Sequence, residues 1–173
     1  KINHGTCAHQ RCVDNKRLCK QMKVDHSRLI SLMRNVRKIR GVKKAFVQSG
    51  IRYDIIAKDK EHGETYLREL VNHHISGQMK IAPEHTEDRV LALMGKPGKQ
   101  SLIEFKKLFD KVNGTKENKK YLTYYLIAAH PGCDIKDMKN LKNFTTHELR
   151  INPEQAQIFT PTPGTYSAVM YYT

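Results

Sequence analysis

A chain of 173 residues fits one domain, and 39% hydrophobic residues is enough for a real core. No apolar run is long enough for a membrane-spanning helix and no signal-peptide pattern is present, so the expected location is cytoplasmic with no membrane contact. The net charge of +14 admits a nucleic-acid or other polyanionic partner. The lysines recur through Lys58, Lys60, Lys96, Lys99, Lys106, Lys107 and Lys111 and the runs 116–120 and 136–142, mostly on expected outward faces, so a solvated surface is the preferred reading. The first residue is Lys1 rather than Met, as expected of a fragment, a trimmed chain or a processed one.

Leu29, Leu32, Met33 and Val36 recur at helical spacing, which predicts an amphipathic helix over about 25–40 ended by Gly41. Ala45, Phe46 and Val47 form a short apolar strand running into Ser49 and Gly50. Tyr66, Leu67, Leu70, Val71 and Ile75 mark a second helix closed by Gly77, and a strand from Met79 to Ala82 follows. Thr86 is the expected cap of the next helix, with Glu87 and Asp88 complementing its dipole and Val90, Leu91 and Met94 facing inward.

After the break at Gly95, Pro97 and Gly98, Phe105, Leu108, Phe109 and Val112 give another amphipathic helix. Tyr121–Ala129 is the longest apolar run and reads as a central strand. Asp134 caps a helix to about Leu149, and Gln155–Phe159 is the last strand. The fold class is α/β. Strands near 43–48, 78–82, 121–129 and 155–159 separated by helical crossovers imply a parallel sheet in sequential order, helices on one side, either open or forming part of a barrel. The first strand, Ala45–Gln48, would leave an exposed edge, which predicts self-association or cover by residues 1–23.

Three segments end an apolar run in a Pro/Gly turn carrying ionisable or hydroxyl groups: Met79–Thr86, Leu126–Asp137 and Gln157–Thr165. Strand ends of this kind bind ligands, because loops and helix N-termini converge there with unpaired N–H groups. Glu84 and His85 can reach a ligand above the sheet, or simply form a polar helix entry. His130-Pro131-Gly132 can bring backbone close to a ligand, or be an ordinary strand-to-helix turn. Thr160, Thr162 and Thr165 fit a ligand loop and a hydroxyl-rich turn equally well. Cys7, Cys12 and Cys19, with His4, His9 and His26 nearby, could hold a metal through thiolates, but neither spacing is a standard zinc or ferredoxin pattern, and free structural thiols are the equal alternative.

SGIRYD (Ser49–Asp54), NHHISGQMKIAPEHT (Asn72–Thr86), MGKPG (Met94–Gly98), AAHPGC (Ala128–Cys133) and QIFTPTPGT (Gln157–Thr165) together resemble the YgiQ-type branch of the radical S-adenosylmethionine (SAM) superfamily, in order and over nearly the whole chain. The resemblance implies an α/β partial (βα) barrel with about four parallel strands here, the C-terminal portion of a six-stranded barrel whose strand ends hold SAM and a [4Fe–4S] cluster. It implies a cysteine-containing segment over 1–23 and the barrel over 24–173. In that family the reduced cluster cleaves SAM to a 5′-deoxyadenosyl radical, and the protein positions the reactants and excludes water.

Carried over by position, Ser49, Gly50 and Arg52 end the family's third strand, Lys80, Glu84 and His85 the fourth, His130, Pro131 and Gly132 the fifth, and Thr160 to Thr162 the sixth. Glu84 is the expected contact to the SAM ribose or amino group, with the HPG backbone near the adenine. The family's C-x3-C-x2-C cluster motif is absent, so the chain resembles the part of the enzyme without it, and the missing N-terminal part of the barrel is the implied partner. Cys7, Cys12 and Cys19 instead resemble a second cysteine segment of the family, for which an auxiliary metal site is one reading. The substrate is not legible. The alternative function is a basic module that binds RNA or another polyanion without catalysis.

Overall fold

The computed structural model describes Cys12, Val13 and residues 18–114, 119–153 and 155–173. The architecture is mixed α/β, with a small parallel sheet of three strands in the order β1 (Gln78–Glu84), β2 (Tyr121–Ala128), β3 (Gln157–Ile158). In the β2–β3 pair Ile127 lies opposite Gln157 and Ala128 opposite Ile158. Seven helices accompany the strands among the described residues: α1 (Ser27–Lys38), α2 (Tyr53–Lys58), α3 (Gly63–Glu69), α4 (Asp88–Met94), α5 (Lys99–Val112), α6 (Ile135–His147) and α7 (Tyr166–Tyr172). None is long and apolar enough to cross a membrane.

The chain divides into two compact units: Lys23–Ala82 with Ser101–Thr123, and Lys1–Met22 with Pro83–Gln100 and Tyr124–Thr173. The first holds the larger apolar core. Ile56, Leu67, Leu70, Ile81, Leu102 and Phe105 are all but inaccessible there, and each such side chain contributes about 1.5–3 kcal/mol. Alternation along β1 buries Met79 and Ile81 and leaves Gln78 and Lys80 outside, as a strand with one covered face requires. On α1 the inward stripe is Ile30 with the half-buried Met33 and Val36, so Leu29 and Leu32 face solvent.

Several expected elements differ. No strand forms over 43–48. The Val47 N–H donates to the His74 carbonyl at 2.9 Å, and parallel pairing beside β1 is reduced to the single bridge Ile51–Ile81, where the Ile51 N–H reaches the Lys80 carbonyl at 3.0 Å. A three-residue apolar run behind Lys43 and Lys44 is too short for a longer ladder. SGIRYD turns directly into α2, and α3 continues as a wide π-type turn over Leu70–His74. The last strand is two residues long, and α7 follows its loop.

The other unit has a small interior with an unusually polar make-up. Val90, Leu91, Leu126, Leu141, Leu149 and Ala168 are buried there together with His85, Thr86, His130, Asp137 and Thr145. A buried polar group costs free energy unless it is paired, so the partners of these side chains explain how the region is built.

Candidate functional site

The ends of β1 and β2 are built alike. Pro83 has no N–H to donate to the β1 ladder, and Glu84, the last residue of β1, takes φ +66. Ala129, directly after β2, takes φ +57. A left-handed residue other than glycine costs roughly 1–2 kcal/mol, and such strain gathers where a fold holds a loop for use. Each of the two residues precedes a histidine that is almost wholly buried, His85 and His130.

Both rings are engaged by the chain itself. The Glu87 N–H donates to His85 Nδ1 at 3.0 Å, so in the neutral ring Nε2 carries the hydrogen and faces Cys133 Sγ at 3.6 Å. Burial, above all, holds the His85 imidazolium form below its ordinary range, and the nearby Asp137 and Glu87 carboxylates only partly oppose it. Burial also pushes the Cys133 thiol up, and the Asp137 and Asp134 carboxylates add to this. Neutral imidazole beside neutral thiol is the opposite of an activated cysteine–histidine nucleophile. His130 Nδ1 lies 2.9 Å from the Pro131 carbonyl, which can only accept, and Nε2 lies 2.8 Å from Ser167 Oγ, with Phe159 edge-on at 5.1 Å. The histidines expected as cofactor contacts are thus placed beneath the loops as their anchors.

Glu84, by contrast, keeps a partly exposed carboxylate. Its Oε1 pairs with Lys96 Nζ at 2.7 Å. Lys96 is delivered by the end of α4, where Gly95 adopts φ +66 and the Lys96 N–H closes onto the Leu91 carbonyl at 2.9 Å. Thr86 does not cap α4. Glu87 is the capping position, and the Thr86 hydroxyl is fully buried with no hydrogen-bond partner. One acceptor and donor in the PEHT loop is therefore left unsatisfied by the protein.

The HPG turn is held from two sides. Gly132 takes φ +80, which favours glycine, and a Cβ there would also lie 2.5 Å from Leu93 Cδ1, the movable end of a side chain. Arg89 of α4 donates from Nη1 to the Gly132 carbonyl at 2.7 Å and from Nη2 to the Asp137 carboxylate. Asp134 caps α6 as expected, in a reciprocal box: its carboxylate accepts the Asp137 N–H at 2.8 Å, and the Asp137 carboxylate accepts the Asp134 N–H at 2.9 Å.

A hollow of about 620 Å³ opens here, lined by Ala128, Ala129, Cys133, Asp134, Ile135, Lys136 and Met138. Its size lies within the range of small-molecule sites. A second hollow of about 690 Å³ lies over the PTPGT loop and α7, against Pro161, Pro163, Tyr166, Val169 and Tyr172. The hydroxyls of that loop turn onto their own backbone: Thr160 to the Ile158 carbonyl at 3.4 Å, Thr162 to the Thr160 carbonyl at 3.5 Å, and Thr165 to the Thr162 carbonyl at 2.8 Å while capping α7.

Four other expected residues, Ser49, Gly50, Arg52 and Lys80, lie in the other unit. Ser49 and Gly50 are exposed, and nothing lies within 4 Å of a Cβ built on Gly50. Arg52 is committed to Asp54 through two hydrogen bonds of 2.9 and 2.7 Å. Lys80 projects from the open face of β1. Cys7 lies outside the described residues. Cys12 and Cys19 are free thiols joined through the backbone, the Cys19 N–H donating to the Cys12 carbonyl at 2.7 Å, and no cluster of three or more His, Cys, Asp or Glu side chains suited to a metal ion occurs among the described residues.

Arg89 and Lys96 are not among the site residues expected from the sequence. The available signals were the MGKPG break, which aims Lys96, and an arginine on the exposed side of a short helix next to a buried stripe.

No family model matches the chain. It is 55% identical over all 173 residues to a UPF0313 protein of Fusobacterium nucleatum, of which it covers 30%. It is 44% identical over its full length to a UPF0313 protein of Clostridium perfringens and 45% identical over 170 residues to one of Clostridium botulinum, covering 26% of each. The chain is thus similar, over essentially its whole length, to proteins that carry the name UPF0313, and it spans less than a third of theirs.

Proposed function

We propose that the chain is the SAM-binding and substrate-facing part of a radical SAM enzyme of YgiQ type, its sheet being the later strands of a six-stranded partial barrel. The hollow at the end of β2 carries this reading. It sits where a parallel strand hands over to a capped helix, the position at which α/β sheets bind nucleotide-like ligands. The motif order in the sequence and the two left-handed strand exits support it.

The chain's own residues fit an adenosyl ligand. Glu84 offers a partly exposed carboxylate that can accept from ribose hydroxyls or an ammonium. The backbone of Ala129–Lys136 provides polar groups beside the apolar walls of Ile135 and Met138. Arg89 holds the turn that presents this backbone, and His130 is held against the Pro131 carbonyl and the Ser167 hydroxyl. SAM bound beside a reduced cluster supplies the 5′-deoxyadenosyl radical in this chemistry. The cluster itself does not fit this chain: no C-x3-C-x2-C stretch is present, and Cys12, Cys19 and Cys133 form no ligand set among the described residues.

Titration with S-adenosylhomocysteine, a thioether that lacks the reducible sulfonium, tests the reading. Glu84→Gln removes both the carboxylate and its ion pair, whereas Lys96→Gln removes the ion pair alone. Glu84→Gln is expected to weaken binding by about fivefold or more and Lys96→Gln by less than about twofold, the difference being one charge-assisted hydrogen bond. Equal effects, or no binding by the unaltered chain, would overturn it.

A further inference from the structure

The charge of the chain is not spread evenly. The 28 residues His26–Tyr53 contain eight Lys and Arg, no Asp and no Glu, and so carry +8 of the net +14. Three of these cations have carboxylate partners. Arg34 and Arg37 share the buried Glu69 at 3.1 and 2.6 Å, and Arg52 pairs with Asp54. Arg28, Lys38, Arg40, Lys43 and Lys44 are exposed and make no ion pair among the described residues. Cations in the last turn of α1 complement its dipole, which accounts for Arg37 and Lys38. It does not account for Arg40, Lys43 and Lys44, which lie beyond the helix.

Among these cations stands an exposed aromatic ring. Phe46 is 40% exposed, with Lys44 Nζ 5.9 Å from its centroid. A ring presented this way offers a stacking platform, worth roughly 1–3 kcal/mol per base. A membrane surface is the competing partner for a basic amphipathic helix, but the apolar stripe of α1 is already turned inward through Ile30, Met33 and Val36, leaving Leu29 and Leu32 on the helix and Ile39 just beyond it for lipid.

We infer that α1 and the segment Arg40–Phe46 form a docking surface for the phosphodiester backbone of single-stranded RNA, with Phe46 stacking on a base. The surface is independent of the adenosyl site. Five free cations predict a salt dependence of slope about −3.5 for a single strand.

The test is fluorescence anisotropy of the 173-residue chain with a labelled mixed-sequence RNA 20-mer between 50 and 200 mM salt. The variant Arg40→Gln/Lys43→Gln/Lys44→Gln should bind about tenfold or more weakly, with the slope reduced by about 2. The control Lys107→Gln/Lys139→Gln/Lys142→Gln carries the same charge change elsewhere and should lose less than about twofold. Phe46→Ala should weaken binding without changing the slope. Equal losses in the two triple variants, or binding to phosphatidylserine vesicles with none to RNA, would overturn the inference. All six charge substitutions are at exposed positions, and circular dichroism confirms that each variant is folded before titration.

Discussion

Arg89 and Asp137 tie the two helices that frame the HPG turn: one guanidinium meets the Asp137 carboxylate while also donating to the Gly132 carbonyl at 2.7 Å. Asp137 is nearly buried and also accepts the Asp134 N–H, so a single carboxylate links α4, the turn and the cap of α6. Arg89→Met leaves that carboxylate short of a partner. Because the guanidinium is itself half exposed, the expected loss is about 1–2 kcal/mol rather than the full cost of a buried pair. Urea unfolding should show it, and Arg89→Lys should recover less than half, because lysine lacks the fork that reaches two acceptors at once.

Gly132→Ala is expected to destabilise by about 1–2 kcal/mol. The clash with Leu93 Cδ1 involves the end of a flexible side chain, which can move, whereas φ +80 cannot be relieved locally. Thermal unfolding of Gly132→Ala and of Gly132→Ala/Leu93→Ala should therefore show little rescue in the double variant.

Acid should destabilise the chain in two stages. His85 is held neutral by burial, so its folded pKa is depressed. Below the ordinary histidine range of about 6.5 the unfolded state binds the extra proton, and stability falls from there downward. Asp59 and Glu69 follow. Burial pushes each up, but the His62 N–H and the ring and N–H of His26 outweigh it at Asp59, as Arg34 and Arg37 do at Glu69, and both end below the usual carboxylate values. Their contribution is present above about pH 4 and lost as pH falls through the folded values. Urea midpoints measured from pH 7.5 to 3.5 should show both stages, and His85→Gln should abolish only the first.

Reconstitution of the chain with iron and sulfide under anaerobic conditions, followed by SAM and a reductant, should yield no 5′-deoxyadenosine. Three thiolates at the cluster spacing are absent, and Cys133 is kept protonated at the strand end. Iron retained by Cys7, Cys12 and Cys19 without turnover is compatible with this account, whereas turnover is not.

What the sequence made legible was local. The apolar residues of Met79–Ala82 and the run Tyr121–Ala129 located two strands, found at Gln78–Glu84 and Tyr121–Ala128, and Asp134 located a helix start, because each signal lies within a few residues of its effect. Thr86 misled as a cap because the chain enters α4 one residue later and buries the hydroxyl instead. Lys96 with Glu84, and Arg89 with Gly132, are pairs 12 and 43 residues apart, and no local spacing encodes them. The basic surface is marked less by lysine runs, which recur along the chain, than by the absence of acids across His26–Tyr53.

The most direct measurement for the adenosyl-site claim is a map of amide shifts in the labelled chain on addition of S-adenosylhomocysteine. The account predicts saturable shifts confined to Glu84–Glu87 and Ala129–Lys136, abolished or strongly weakened by Glu84→Gln. Shifts spread over the lysine-rich surface, shifts confined to the hollow of Pro161, Tyr166 and Tyr172, or no shifts at millimolar ligand would contradict it.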